Sequence, residues 1–310
     1  MDFPPLTLAV LTYHRNDLLR SALPLLSAQV AQAVEAGYAA RLVVVDNSPE
    51  GEAREVVEAH ATSVDVRYVH EPTPGLAAAR NRALDEAEGT RLFCFIDDDE
   101  TPGEGWLLDL VACWRRTGAS AVSGPVRSLP ETPLDAWTEG TGLFARPTRP
   151  TGSPRPGMAS NNLLLDLDFV RGHHIRFDER FGFTGGEDSK FGQDLQAAGG
   201  RIVWCDEAEV SEVVPAARLE RDWIRQRLTR FGESWVRARS IDMTGREAAV
   251  FRARTAAKGS AKVAKARAQL ELARRRGDER AQGAAEAELA GGLVMVRGAA
   301  GVNRQEYGRA

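Results

Sequence analysis

Short apolar blocks alternate with longer stretches of helical period through the first two thirds of the chain. Residues 6–11 form an apolar run ending at Thr12-Tyr13-His14-Arg15. Leu18, Leu19, Leu25 and Leu26 then recur at helical spacing behind Asn16 and Asp17, either of which can cap that helix. Residues 42–45 are a β-branched run closed by Asp46-Asn47-Ser48-Pro49-Glu50-Gly51, and 64–69 make a weaker strand before Glu71-Pro72-Thr73-Pro74-Gly75. The pattern continues with helix over 76–87, strand over 92–96, helix over 106–116 and strand over 121–126. Continuously apolar strands separated by helices predict a parallel sheet covered on both faces.

From 129 to 157 Pro, Gly, Thr and Arg prevail, which predicts a long loop of the kind that faces a substrate. Order resumes at Asn161-Asn162-Leu163-Leu164-Leu165. A Gly-rich turn from Gly182 to Gly186 then leads into a helix starting near Glu187-Asp188 and ending at Gly199-Gly200, with a strand over 201–205 behind it. Beyond this the composition shifts. Residues 249–282 hold ten Lys and Arg against Glu271, Asp278 and Glu279 in an Ala-rich background, which predicts a basic helical tail on an acidic body.

With 310 residues, 43% hydrophobic and 27% charged, the chain is globular and long enough for two domains, or for one α/β domain with a tail, the arrangement the composition shift favours. The net charge of −4 argues against a nucleic-acid partner for the whole surface. Cys94, Cys113 and Cys205 are widely spaced and form no CxxC pair, so neither a disulfide framework nor a zinc site is indicated and a reducing cytoplasm is expected. The N-terminus lacks a signal-peptide pattern, and no run approaches the ~18–20 apolar residues of a membrane span.

The segment that most constrains the chemistry is Asp97-Asp98-Asp99-Glu100, directly behind an apolar strand. Residues in that position lie at the carboxyl edge of a parallel sheet, where α/β folds place their ligands. Adjacent carboxylates repel one another unless a cation shares the site, and Mg²⁺ held by one or two carboxylates implies phosphate oxygens as further ligands. A solvated acidic turn is the alternative reading. Asp46 ends a second buried strand, and Thr12 to Arg15 end the first. Arg80, on a helix opened by small residues, could complement a diphosphate or simply pair with a carboxylate. Neither a Gly-x-Gly-x-x-Gly after the first strand nor a Walker loop is present, so phosphate binding would fall to a metal. Gly185-Gly186-Glu187-Asp188 is site-like, though two acidic residues also suit any helix N-terminus.

Taken in order, these segments resemble family 2 glycosyltransferases, inverting enzymes of the GT-A (nucleotide-diphospho-sugar transferase) fold. The matching segments are Thr12-Tyr13-His14-Arg15, Val45-Asp46-Asn47-Ser48, Thr73 through Asn81 with Gly75 and Ala79-Arg80-Asn81, Phe95 through Asp99, and Gly185-Gly186-Glu187-Asp188. The resemblance implies an α/β GT-A domain with a mostly parallel central sheet over 1–240, its nucleotide-binding half at 1–127 and its acceptor half at 128–240. An Ala/Arg/Lys-rich helical extension follows at 241–310. It further implies metal-assisted transfer of a sugar, hexosyltransferase-like, from a nucleotide-diphosphate donor to a hydroxyl acceptor.

By the same resemblance Asp46 would bind the nucleobase, Thr12 and Arg15 would line its pocket, and Arg80 would lie near base or phosphates. Asp97 would hold the ribose, Asp98 would belong to the nucleotide-sugar-binding set, and Asp99 would ligate Mg²⁺ or Mn²⁺. Asp188 would be the general base, with Glu187 orienting the acceptor or sharing that role. UDP is the expected donor nucleotide, with dTDP and GDP as alternatives, and the acceptor would be a glycan, a lipid-linked saccharide or a small molecule. The basic tail could touch the inner face of the cell membrane, pack on another subunit, or remain solvated. Two departures stand out: His14 replaces the family's usual Asn, and Glu212 occupies the region where relatives often carry His; the pair His173-His174 reads as structural or exposed rather than as a metal site. A nucleotidyltransferase on a similar sheet and a catalytically silent nucleotide-sugar scaffold are the competing functions.

Overall fold

The computed structural model describes residues 3–146, 148–181 and 185–300, so the last ten residues of the expected extension lie outside it. In chain order its first elements are β1 (Leu6–Thr12), α1 (Asn16–Glu35), β2 (Ala40–Asp46), α2 (Arg54–Glu58), β3 (Val66–His70), α3 (Leu76–Asp85), β4 (Leu92–Asp97) and β5 (Glu100–Pro102). There follow α4 (Trp106–Thr117), β6 (Ala121–Ser123), β7 (Val126–Pro130), α5 (Ala136–Thr141), β8 (Asn162–Asp166) and α6 (Leu167–Gly172). The remainder is α7 (Glu187–Ala197), β9 (Ile202–Trp204), β10 (Val210–Val214), α8 (Arg221–Ser240), α9 (Gly245–Arg276) and α10 (Glu279–Ala299). They form two compact units. One comprises Met1–Arg127, Pro147–Gly182 and Glu187–Glu212; the other comprises Ser128–Arg146, Phe183–Gly186 and Val213–Ala310.

The first unit is built on a seven-stranded sheet in the order β3-β2-β1-β4-β8-β6-β9. Side chains alternate across it. Leu8, Val10, Leu42, Val44, Cys94 and Ile96 join Leu19, Leu23 and Leu26 of α1 and Trp106 and Leu110 of α4 on one face. Ala9, Val43, Val45, Phe93 and Phe95 join Ala79 and Ala83 of α3 and Phe191 of α7 on the other. Burial on both faces explains why the middles of these strands are continuously apolar, as over 8–11, 42–45 and 92–96. β8 departs from the expected parallel arrangement: it runs antiparallel to both β4 and β6, so the sheet is mostly parallel. The expected strand over 121–126 is two, β6 and β7, interrupted at Gly124-Pro125. Gly124 sits where a Cβ would meet the Ala208 carbonyl at 2.1 Å. Helix α1 begins behind Arg15 with no side-chain cap, so neither Asn16 nor Asp17 plays the capping part expected of it.

The second unit is helical. The stretch expected as loop contributes α5, capped by Asp135, whose side chain accepts from the Thr138 amide. Its Trp137 is 1% exposed beneath the Arg221 and Arg225 guanidinium groups of α8, 5.0 and 5.2 Å from the ring centre. Helices α9 and α10 form a hairpin whose turn uses Gly277 at φ 65° and Asp278, the N-cap of α10. Thus 128–146 and α8 share a unit with the C-terminal helices.

Candidate active site

The parallel register sets Thr12 of β1 beside Asp46 of β2 and Leu11 beside Asp97 of β4, so three polar strand ends share one edge. Loops at this edge of an α/β sheet open into the ligand crevice.

Asp46 is 1% exposed and both of its oxygens are engaged. Oδ1 accepts from the Ser48 amide (2.9 Å) and hydroxyl (2.7 Å), and Oδ2 from the Ala53 amide (2.8 Å) and the Tyr68 hydroxyl (3.0 Å). A carboxylate offers about four acceptor sites, so Asp46 uses its capacity in shaping the turn behind β2. Burial and the bond to Asp46 push the Tyr68 hydroxyl up to about 12. Asn47 clamps the next loop. Its amide donates to the Glu71 (2.6 Å) and Thr73 (2.8 Å) carbonyls and its oxygen accepts from the Gly75 amide (3.2 Å). Gly75, at φ 129°, then releases the chain into α3, the helix that carries Arg80 and Asn81.

Behind β4 the three aspartates diverge. Asp98 is buried, accepting from the Thr12 hydroxyl at 2.8 Å and from Arg15 at 3.0 Å; Arg15 also reaches Asp99 at 3.3 Å. Burial raises the Asp98 carboxyl while Arg15 and Thr12 pull it down. Burial lowers Arg15, but Asp98 and Asp99 more than offset it and leave the guanidinium above its ordinary value. Asp97 is half-buried and its carboxyl is pushed up to about 7, first by burial, opposed by Arg80 and reinforced by Asp99 and Asp98. Glu100, 3% exposed, accepts from the Asp97 amide (3.3 Å) and from Asn161 (2.8 Å), and burial followed by the charge of Asp97 holds its carboxyl well above the usual range.

Arg80 is the point where distant segments meet. It forms a buried ion pair with Glu187 and lies over the Phe177 ring at 5.6 Å. Asn81 exchanges two 2.9 Å hydrogen bonds with the Phe177 backbone, and Phe177 stacks on Phe191 of α7 at 4.4 Å. Gly185 and Gly186, at φ 69° and 100°, precede α7, whose first residues are Glu187 and Asp188. Oε2 of Glu187 is buried without a hydrogen-bond partner among the described residues. The Asp188 carboxyl is raised by burial and by Glu187, while Arg80 and the Ser189 amide (2.5 Å) oppose the rise. Arg80 therefore acts electrostatically on Asp97 and Asp188 alike.

The donor set suits a hard divalent cation held by few protein ligands. Among the described residues Asp99 has only a long contact to Arg15, and the Asp97 carboxyl is raised by burial and then by Asp99 and Asp98, a rise that a cation beside it would oppose. The triplet is not a three-ligand cage, because Asp98 is turned back onto Thr12 and Arg15. Among the described residues only His14, Glu50 and Glu52 bring three such ligand atoms within 4.8 Å, all on exposed side chains.

Residues 7–170 match the profile described as Glycosyl transferase family 2. The succinoglycan biosynthesis protein ExoM of Rhizobium meliloti (strain 1021) is 35% identical over 231 residues, covering 73% of this chain and 72% of ExoM. The chain belongs to glycosyl transferase family 2. It is a glycosyltransferase, and its fold is GT-A. The mannosyltransferase PcManGT of Pyrobaculum calidifontis, solved with GDP-Man and Mn²⁺, superposes with a TM-score of 0.60 at 18% identity, over 94% of this chain and 87% of that one. S. aureus TarS 1-349, solved with UDP, gives 0.51 at 16% identity over 91% and 90%; its UDP-GlcNAc complex gives 0.52 at 15% over the same shares.

The family's departures have local physical reasons here. His14 has φ 51°, a left-handed conformation that Asn and His tolerate better than most residues, and its ring pairs with Glu52 at 2.9 Å. Glu212 lies opposite Glu100 in the β10–β5 register, at the rim of the acidic edge. His173 stacks on Phe169 at 4.2 Å and, among the described residues, joins no cluster of ligand atoms. Sequence reading passed over Asn47, Asn81 and Glu100 as site builders. Each directly follows a residue chosen for the site, and a short amide or buried acid in that position was the available signal.

Proposed function

We propose that this glycosyltransferase moves a sugar, with inversion at the anomeric carbon, from a nucleoside-diphosphate donor to a hydroxyl acceptor, at the edge where β1, β2 and β4 end. The observation that carries this reading is the convergence on Arg80 of Asp97, from the nucleotide-binding half, and of Glu187 and Asp188 at the start of α7. Thr12 and Arg15, ordered by Asp98, line the nucleotide pocket, and the Asp46 turn with the Asn47 clamp shapes the wall on which the base rests. Asp97 faces the ribose and Arg80 the phosphates. Asp99, with Asp97 behind it, would hold Mg²⁺ or Mn²⁺, which neutralises charge on the departing diphosphate when bound.

Asp188 is the general base. Its raised carboxyl lies closer to the pH at which an acceptor hydroxyl must lose its proton, and its place at the start of α7 lets it take that proton as the oxygen attacks. Glu187 orients the site through Arg80. UDP, dTDP and GDP are the donor nucleotides to compare; PcManGT and TarS were solved with GDP-Man and with UDP or UDP-GlcNAc. The acceptor is a glycan, a lipid-linked saccharide or a small molecule, and contact with a membrane surface or a second subunit falls to the C-terminal helices. A cytoplasmic location suits three buried free thiols, and among the described residues no helix is long and apolar enough to cross a membrane.

A thermal-shift screen of UDP, dTDP and GDP, with and without Mn²⁺, tests the donor site directly, because a ligand that binds only the folded chain raises its midpoint. One nucleotide should raise it more with Mn²⁺ than without, and Asp99→Ala should abolish the Mn²⁺ increment alone. No shift with any nucleotide would reject the reading.

A further inference from the structure

Helix α9 turns one face to α10. Thr255, Gly259, Ala266, Leu270 and Ala273 are its buried positions, spaced by three, four or seven residues as one helix face requires. Gly259 and Gly292 bring the two backbones so close that a Cβ on either would meet the other's carbonyl oxygen at 2.9–3.0 Å. A second side of α9, about a quarter turn round from the buried one, carries Arg254, Lys258, Lys265 and Arg276, all exposed, in a line about 33 Å long at 1.5 Å per residue. Val250 and Leu272, 41% and 47% exposed, lie on the same side. Among the described residues the ion pairs of α9 are Lys262 with Glu288 of α10 at 3.5 Å and Arg275 with Glu271 at 2.9 Å, which involve none of the four.

The charge is segregated to an unusual degree. Helix α9 holds ten Lys and Arg against two Glu, a net +8 in a chain whose total is −4, which leaves −12 on everything else. Between the cations stand Ala257, Ala261 and Ala268, small enough for a broad planar partner to approach the helix along its length. Such a line fits an extended anionic surface. Exposed Val250 and Leu272 beside the cations favour a surface with an apolar layer beneath its phosphates over a polyanion that has none.

We propose that this side of α9 docks on an anionic phospholipid bilayer, with the helix lying in the headgroup plane. The contact is peripheral, held by cations that reach lipid phosphates and by shallow burial of Leu272 and Val250. Its consequence for sugar transfer, that the acceptor is held at the same surface, rests on the function proposed above. The docking itself does not.

The experiment is co-sedimentation of the full chain with phosphatidylcholine vesicles, with and without about one third phosphatidylglycerol. Wild type should pellet only with the anionic vesicles and be released by high salt. Arg254→Gln/Lys258→Gln/Lys265→Gln should bind on the order of 100-fold more weakly, since each cation near the surface contributes about a fivefold factor. Leu272→Ser should show a smaller loss on the same vesicles. All four side chains are exposed, and unchanged thermal melts of both variants verify folding. Equal binding to neutral and anionic vesicles, or a triple variant that binds like wild type, would overturn the proposal. So would a dimer that the triple variant dissolves, or displacement from vesicles by an equimolar oligonucleotide. Because no donor is needed, failure here leaves the sugar-transfer reading standing, and failure of that reading leaves this result intact.

Discussion

Asp97 carries an electrostatic load that can be read by titration. Its carboxyl is pushed up to about 7 by burial and by Asp99 and Asp98, against the pull of Arg80 and Arg15. A divalent cation needs the ionised form, so Mn²⁺ affinity should rise about tenfold per pH unit up to pH ~7 and then level off. Calorimetry of the donor complex from pH 5.5 to 8.5 would measure this, and Asp97→Asn should flatten the profile. Stability without metal moves the opposite way. A carboxyl whose folded value is raised binds more protons in the folded state, so its contribution is complete below the unfolded value of 3.8 and is lost as pH rises through about 7. Asp46 makes a separate prediction: Asp46→Ala strands four donors around the turn, three buried and one half-buried, and should cost about 2–4 kcal/mol in urea unfolding. The types of residue at these positions were legible in the sequence. The internal saturation of Asp46 was not, because it depends on Tyr68 and Ala53 folding back onto the turn.

Helix α3 ties the nucleotide edge to α7 through two adjacent residues, Arg80 to Glu187 and Asn81 to the Phe177 backbone. Arg80→Met should destabilise by about 3–5 kcal/mol, because it leaves Glu187 as a buried uncompensated charge. Adding Glu187→Leu should recover much of that loss in stability while activity stays low in both variants; additive losses would mean the pair is uncoupled. In the helical unit, α5 and α10 pack through glycines. A Cβ on Gly283 would lie 1.9 Å from the Trp137 carbonyl oxygen. Gly283→Ala should therefore cost about 1–3 kcal/mol of overpacking, seen as a lower midpoint in the helical unit's melting.

Strands and long helices could be read from period alone, since β1, β2 and β4 are apolar on both faces and α1 and α4 repeat their leucines at helical spacing. The direction of β8 could not, because an antiparallel strand buried on both faces has the same composition as a parallel one. Helix α5 was hidden for a similar reason. Its six residues are too few to show a period, and only Asp135 ahead of it and Gly142 after it signal its ends.

Over the whole chain, chemistry and charge are allotted to different units. Every residue proposed to touch donor or acceptor belongs to the first unit, whereas the +8 helix belongs to the second. The order of motifs from Thr12 to Asp188 is the family's signature in the sequence, because each motif marks the end of a strand or the start of a helix in one sheet topology. Composition announced the second unit as helical. It gave no sign that 128–146 would join it, since that membership rests on contacts between α5 and helices about 140 residues away.

The decisive measurement separates binding from turnover in a single substitution. Release of nucleoside diphosphate from the preferred donor, with acceptor present, should fall by about 10²–10⁴-fold in Asp188→Asn, while calorimetry shows that this variant binds the donor as wild type does. An Asp188→Asn enzyme that turns over at the wild-type rate would show that the proton of the acceptor hydroxyl leaves by another group, and the site as described would be wrong.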